Sequence, residues 1–127
     1  MLYSLANPES IAAEWIAAWN AHDIDRILSH YHPQVRFRSP LIQQLGIDPT
    51  GWISDKATLQ RYFERGLSAY PDLHFTLRQV LVGCESVLIY YDSIQGLQAA
   101  EQLVLDEAGL IRQVDVHYSS AASEDVS

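Results

Sequence analysis

The most constraining feature of this sequence is a change in hydrophobic period between its two halves. In the first half, apolar residues recur every three or four positions, as from Trp15 to Trp19, which is typical of amphipathic helices. In the second half, four apolar segments of strand length are separated by Gly83, Gly96 and Gly109. Helices followed by antiparallel strands predict an α+β domain in which the helices cover one face of the sheet.

Residue patterns at the helix ends predict three helices. The first begins after Asn7, whose side chain can cap it, and Pro8 suits its first position. The second is a short helix that begins after Asp23, includes Tyr31 and ends at Pro33.

The third predicted helix begins after Ser54 and ends before Pro71. The segment 41–53 contains two glycines and a proline, and it is interpreted as a loop or a weak edge element. Five strands are predicted from alternating or continuous apolar residues: 35–39, 73–82, 87–93, 99–105 and 110–118.

Length and charge limit the possible partners. The 127 residues, 48% of them hydrophobic, suit a single domain over 1–127 with a sizeable core. The 16 acidic and 8 basic residues give a formal charge of −8. Nucleic acid and anionic membrane surfaces are disfavoured as partners, because both attract proteins with a surplus of Lys and Arg. Cys84 is the only cysteine, so we expect neither an internal disulfide nor a thiolate metal site.

Targeting and membrane-spanning segments are not predicted. The N-terminal residues lack the basic start and long apolar stretch of a signal peptide. No segment approaches the roughly 20 apolar residues that cross a bilayer. We therefore expect a soluble cytoplasmic protein without a membrane partner. The tail at 119–127 is mostly small and polar, and it is predicted to fray.

Three short segments resemble a known family. They are WNAHDID at 19–25, FRSP at 37–40 and PDLHF at 71–75. Together with the order of elements over residues 9–118, they resemble the nuclear-transport-factor-2-like superfamily, and within it the SnoaL-like and ketosteroid-isomerase-like proteins.

This resemblance implies a cone-shaped fold. A strongly bent antiparallel sheet would wrap around three helices and enclose one cavity, which admits a small apolar or aromatic ligand. It also implies a homodimer, usually formed through the outer face of the sheet. The superfamily includes isomerases, cyclases, dehydratases, hydrolases and binding modules without catalysis, so the fold alone does not identify a reaction.

Ketosteroid isomerases use a carboxylate base and two hydrogen-bond donors. Carried over by position, the resemblance places Ser39 at the base, Trp15 at the phenolic donor and Glu101 at the carboxylic donor. Only Glu101 keeps the chemistry of its position, which argues against steroid isomerisation.

Glu101 is also a candidate from strand alternation alone. It shares its face of the strand with Ala99, Leu103 and Leu105, so its carboxyl group is expected among apolar side chains. Burial there would raise its pKa and allow it to act as a general acid or a neutral donor. The alternative is that Glu101 lies near the strand end and points into water or pairs with an arginine.

Asp92 is the second candidate catalytic residue. The strand before it is apolar on both faces, so the pattern leaves open whether Tyr90 and Asp92 or the alternate residues face inward. If Asp92 faces inward, it could be the base; otherwise it belongs to a turn. On the last strand, Asp115 and His117 are expected on the outer face or in a dimer interface.

Ligand contacts are predicted for aromatic and hydroxyl side chains near the cavity: Trp15, Trp19, Phe37, Ser39, Tyr90 and Tyr118. No cofactor is predicted, because the sequence lacks a glycine-rich phosphate loop and the serine or cysteine nucleophile motifs. His30 and His32 lack a third ligand nearby, so no metal site is predicted.

Three functions are compatible with these features. The first is an enzyme that moves a proton next to the carbonyl of a small apolar or cyclic compound, with Glu101 as acid or donor and Asp92 or a bound water as base. The second is a non-catalytic module that binds a hydrophobic metabolite. The third is a dimeric interaction protein.

Overall fold

The computed structural model describes residues 7–119, which form four α-helices, one 3₁₀ turn at Ile94–Gly96 and six strands. The tail predicted to fray lies outside this range except for Ser119. The helices are α1 Pro8–Asn20, α2 Ile24–Leu28, α3 Pro40–Gln44 and α4 Lys56–Ala69. The strands are β1 Tyr31–Arg38, β2 Trp52–Ile53, β3 Thr76–Gly83, β4 Ser86–Asp92, β5 Gln98–Leu105 and β6 Ile111–Tyr118.

The six strands form one curled, open sheet in the order β2-β1-β6-β5-β4-β3. Four of the strand pairs are antiparallel, and β1 runs parallel to β6. Helix α1 packs on β3 and β4, α4 packs on β1, and α3 packs on β6. The α+β fold class predicted from the sequence is therefore confirmed. None of the helices within residues 7–119 has the length and hydropathy that crossing a membrane requires.

Helix α1 begins as its sequence predicts. The Asn7 side chain accepts a hydrogen bond of 2.9 Å from the Glu9 backbone N–H, and Pro8 occupies the first turn. Its apolar stripe faces the core with four buried residues: Ala12, Trp15, Ala18 and Trp19. This stripe carries two indole rings to the inner face of the sheet.

The prediction that the second helix extends through Tyr31 to Pro33 is wrong. Helix α2 ends at Leu28, and strand β1 already begins at Tyr31 because that residue pairs with Ile111 of β6. The register between β1 and β6 shifts after Tyr31, and Pro33 lies within this irregularity. A bulge tolerates proline, since the missing N–H then breaks no regular ladder bond.

The segment 41–53 contains more structure than its sequence indicates. Ser39 caps the short helix α3, because its hydroxyl accepts a hydrogen bond of 3.2 Å from the Leu41 backbone N–H. Strand β2 then pairs with the end of β1 and forms the edge of the sheet. The weak edge element is present, whereas helix α3 was not predicted.

Helix α4 begins one residue later than predicted. Asp55, rather than Ser54, caps it, with a hydrogen bond of 2.8 Å from the Thr58 backbone N–H to the carboxylate. Leu59 and Phe63 are its buried residues. Gly66 lies inside the helix, and the space beside its Cα is open.

The four strands of the second half lie close to their predicted bounds. The turn between β5 and β6 is held by Asp106, whose carboxylate accepts from the backbone N–H groups of Ala108 and Leu110 at 2.9 Å each. Gly109 has a φ of +86°, a conformation that glycine adopts without strain. These antiparallel hairpins place the inward residues of β4, β5 and β6 side by side.

Candidate functional site

A cavity of about 270 Å³ lies between the inner face of the sheet and helices α1, α3 and α4. Eight aromatic residues line it: Trp19, Phe37, Tyr62, Phe63, Tyr70, Phe75, Tyr91 and Tyr118. Among the described residues that line it, Glu101 is the only carboxylate and Arg65 the only cation. Arg65 is exposed, so the charge inside the cavity depends on Glu101.

Glu101 lies on the apolar face of β5, where strand alternation places it. Its direct cross-strand neighbours are Ile89 on β4 and Val116 on β6, both buried. The side chain is 5% exposed, and within residues 7–119 no cation lies within ion-pair distance of it. Neither the exposed strand end nor the arginine partner considered above is present.

The two oxygens of the Glu101 carboxyl group have different environments. Oε2 accepts a hydrogen bond from the Tyr91 hydroxyl, whereas Oε1 is buried without a partner in the described part of the chain. Burial raises the pKa of Glu101 from 4.5 to about 7, and the bond from Tyr91 opposes this shift. The carboxyl group is thus held at one oxygen and free to bind a ligand at the other.

Two tyrosines flank the carboxyl group on neighbouring strands. Ala99, the inward residue that precedes Glu101, pairs with Tyr91 on β4 and Tyr118 on β6. Burial, and secondly the charge of Glu101, raise the pKa of both phenols well above 10. Both tyrosines therefore remain protonated donors at neutral pH.

Ser39 is buried beside the cavity and does not line it. Burial raises the pKa of Tyr62 to about 12, and the nearby Ser39 hydroxyl opposes this shift. The same hydroxyl lies near the phenol of Tyr118. Ser39 caps α3 and lies behind the cavity wall, although a ligand contact is predicted for it.

The two tryptophans of α1 have different roles. Trp15 donates a hydrogen bond of 3.1 Å from Nε1 to the Tyr31 hydroxyl and does not line the cavity, although a ligand contact is predicted for it. Trp19 lines the cavity, and its buried Nε1 has no partner among the described residues. Phe37 and Tyr118 also line the cavity as predicted.

The aromatic side chains hold one another in fixed orientations. Trp19 meets Phe63 edge-on with ring centroids 4.8 Å apart, and Phe75 packs on Tyr91 at 4.7 Å. Phe37 contacts Phe63 in the same edge-on manner at 5.4 Å. Such contacts give the cavity rigid apolar walls.

Asp92 and Tyr90 do not reach the cavity, which corrects two predictions. Val87, Ile89 and Tyr91 are the buried apolar residues of β4, so Tyr90 and Asp92, which alternate with them, lie on the outer face of the sheet. Asp92 pairs with Arg78, whose Nε lies 2.9 Å from its carboxylate, and this pairing lowers the pKa of Asp92. Asp92 is therefore not available as the base.

The remaining polar candidates also lie outside the cavity. His117 is exposed on the outer face, and Asp115, two residues earlier on the same face of β6, is partly exposed. His30 contacts the Glu14 carboxylate at 3.2 Å. Within residues 7–119, no three side chains of His, Cys, Asp or Glu form a group that could hold a metal ion.

Sequence reasoning missed several residues of the site. Tyr91 was not singled out, because both faces of β4 are apolar in sequence and only the pairing with β5 distinguishes them. Tyr62 was not singled out either; it lies four residues before Gly66 on the cavity side of α4. The 3₁₀ turn that contributes Ile94 to the cavity has no periodic sequence signal.

Comparison with known proteins assigns the family. Residues 12–115 match the model of the SnoaL-like domain. A SnoaL-like protein of unknown function from Burkholderia thailandensis is 35% identical, with a TM-score of 0.86 over 89% of this chain and 94% of that chain. No curated protein matched the sequence.

Two more distant structures share the fold. A protein of unknown function with a cystatin-like fold, from Methylobium petroleophilum, is 18% identical, with a TM-score of 0.70 over 92% of this chain and 78% of that chain. IdmH, a proposed polyketide cyclase from Streptomyces antibioticus, is 13% identical, with a TM-score of 0.75 over 90% of this chain and 93% of that chain. The chain belongs to the SnoaL-like domain family.

Proposed function

We propose that this protein binds a small, mostly apolar carbonyl compound and moves a proton at the carbon next to its carbonyl group. The observation that carries the proposal is the Glu101 carboxyl group, which is buried in an aromatic cavity with Oε1 unpartnered. A buried polar atom without a partner is uncommon in native proteins, and a cavity beside it favours a ligand as the missing partner.

The ionisation of Glu101 suits proton transfer. With a pKa of about 7, the carboxylate and the carboxylic acid are both populated near neutral pH. The carboxylate would take a proton from the α-carbon while the C–H electrons move toward the carbonyl oxygen and form an enolate. Where the substrate has a C=C bond between its β- and γ-carbons, the enolate is a dienolate, and the protonated Glu101 would return the proton to the γ-carbon. The double bond then shifts into conjugation with the carbonyl group, so the reaction is an isomerisation without net consumption of protons. A substrate without this double bond would receive the proton back at its α-carbon.

The shape of the cavity limits the substrate. Its volume of about 270 Å³ corresponds to roughly nine water molecules. This space is enough for a ligand with a single ring or with two fused rings. The walls are aromatic or aliphatic apart from Glu101, the exposed Arg65 and a few hydroxyl groups, so most of the ligand surface should be apolar.

The proposal is tested by following deuterium incorporation at the α-carbons of 2-tetralone in D₂O by ¹H NMR. Glu101→Gln should lower the protein-catalysed exchange rate by at least about 100-fold, because the amide cannot carry the proton. Asp92→Asn is the matched control, since that carboxylate lies on the outer face. If the wild-type protein does not accelerate exchange above the buffer rate, or if Glu101→Gln equals the wild type, the proposed catalysis is wrong.

A binding module without catalysis is the second candidate. It is supported by the absence of a second carboxylate among the described cavity residues, so Glu101 would have to serve as both acid and base. Saturable binding of 2-tetralone without α-exchange would favour this candidate. The homodimer and the cytoplasmic location remain predictions, and we further propose that the dimer forms through the outer face of the sheet.

A further inference from the structure

We propose that the indole N–H of Trp19 binds the carbonyl oxygen of the substrate and stabilises the negative charge that develops on it. The inference rests on the proposed function of Glu101 and assigns the second polar contact of the same cavity. It also narrows the ligand class to compounds that present one oxygen acceptor to Trp19 while the adjacent carbon faces Glu101.

Trp19 is the second residue of the cavity with an unpartnered polar atom. Its side chain is 7% exposed, it lines the cavity, and its Nε1 has no hydrogen-bond partner within the described part of the chain. Glu101 Oε1 and Trp19 Nε1 are the two buried side-chain atoms of residues 7–119 left in this condition. Since both residues line one cavity, a single ligand can supply both missing partners.

The nearest internal acceptor does not satisfy Trp19. The Tyr31 hydroxyl lies near both indole nitrogens of α1, but it accepts a hydrogen bond from Trp15 only, at 3.1 Å. The Tyr91 hydroxyl is likewise engaged, because it donates to Glu101. The N–H of Trp19 is therefore left for a ligand.

The packing of Trp19 keeps this donor oriented. Phe63 meets its ring edge-on at 4.8 Å, and the rings of Phe75 and Trp15 pack at 5.6 and 6.1 Å. A donor that is already in place stabilises developing charge without reorganisation during the reaction. An indole N–H donates without being lost as a proton at ordinary pH, so Glu101 remains the proton carrier.

Other donors could compete for the same oxygen. The phenols of Tyr62, Tyr70 and Tyr118 line the cavity. None of these hydroxyl groups is among the buried atoms without a partner in residues 7–119, whereas Trp19 Nε1 is. This difference favours Trp19 over the phenols, and Tyr118→Phe provides the comparison.

The test uses 2-naphthol, an aromatic enol analogue of 2-tetralone, and naphthalene, which has the same rings without oxygen. Trp19 is replaced by 3-benzothienylalanine, in which sulfur takes the place of the N–H within an otherwise similar ring. The replacement should weaken 2-naphthol binding roughly 2- to 12-fold and leave naphthalene binding unchanged. Tyr118→Phe should change the ratio of the two affinities less.

A measurement on the unmodified protein covers the case in which the variant does not fold. The indole N–H groups of the three tryptophans give separate ¹H–¹⁵N signals. Binding of 2-naphthol should move the Trp19 signal downfield, naphthalene should not, and the Trp52 signal should stay in place. Three results would overturn the inference. They are equal 2-naphthol affinity of the wild type and the benzothienylalanine variant, a Trp19 signal that does not move, and a protein that does not bind 2-naphthol.

The experiments distinguish a failure of the Glu101 proposal from a failure of the Trp19 proposal. If the Trp19 results are as expected but α-exchange is absent, Trp19 is a ligand contact and Glu101 is not catalytic. If α-exchange depends on Glu101 but not on the Trp19 N–H, the acid–base role stands and the assignment of Trp19 is wrong.

Discussion

At the scale of single residues, the buried carboxyl group of Glu101 lowers the free energy of unfolding at neutral pH. Its carboxyl group is surrounded by apolar side chains, and the hydrogen bond from Tyr91 offsets only part of the desolvation, since the pKa remains raised. Leucine or glutamine at this position would avoid the ionisation penalty. A buried ionisable group that destabilises the fold is typical of a functional site.

The pH dependence of stability follows from this raised pKa. The native state holds the Glu101 proton up to about pH 7, whereas the unfolded state releases it near 4.5, so the contribution of this group to stability falls as the pH rises through that range. The free energy of unfolding of the wild type, relative to Glu101→Gln, should fall by about 3 kcal/mol between roughly pH 5 and 8. Urea unfolding of both proteins at several pH values measures this difference.

Comparison with Glu101→Gln removes the effect of the other titrating groups. Glu14, for example, has its pKa lowered to about 2, mainly by Arg26, and it is present in both proteins. A constant difference between the two proteins across the range would show that Glu101 is ionised in the native state throughout and would contradict the prediction.

At the scale of elements, strand pairing decides what single-strand patterns cannot. Strand β5 has one clearly apolar face, so the sequence alone places Glu101 inward. Both faces of β4 are apolar, so the face on which Asp92 lies follows only from the pairing of β4 with β5. Ile89 pairs with the inward Glu101, whereas Asp92 pairs with Gln98 on the opposite face. The prediction of a helix at Tyr31 was wrong because this residue belongs to a strand through its pairing with Ile111. Ile111 lies 80 residues later in the chain, so no local pattern indicates the pairing.

Helix α3 depends on a cap that the sequence did not reveal. Ser39→Ala removes the hydroxyl that accepts from the Leu41 N–H, and it should lower the free energy of unfolding by about 1 kcal/mol. Ser54→Ala is the matched control, because Ser54 is exposed and Asp55 caps α4; its effect should stay within about 0.5 kcal/mol. Chemical denaturation gives both values, and an equal effect of the two substitutions would contradict the role of Ser39.

At the scale of the whole molecule, the order of elements could be predicted from the sequence, whereas the pairing of the two distant strands β1 and β6 could not. Helical and strand periods, together with the three family segments, indicate the curled sheet around helices. The parallel pairing of β1 with β6 joins residues such as Phe37 and Val114, which no local pattern relates. That long-range pairing brings Phe37 to the cavity wall, so the cavity is formed by the curled sheet as a whole rather than by any one segment.

The outer face of this sheet is where we expect two copies to associate. Leu81 on β3 pairs with Leu88 on β4, and Leu81 is 47% exposed. Tyr90 and its partner Ala100 extend the same surface across β4 and β5. An apolar surface that continues over three strands is typical of an interface, and a stable dimer buries about 800 Å² on each partner.

Leu88→Asp should therefore convert the protein to a monomer, because the dimer would bury an unpaired carboxylate on each side. Sedimentation velocity at micromolar concentration measures the change, and Leu45→Asp is the control, since Leu45 is 45% exposed at the cavity mouth, away from this surface. Each chain carries a formal charge of −8, so added salt should tighten the wild-type dimer by screening the repulsion between copies. A wild-type protein that sediments as a monomer at high salt, or a Leu88→Asp variant that remains dimeric, would show that the outer face is not the interface.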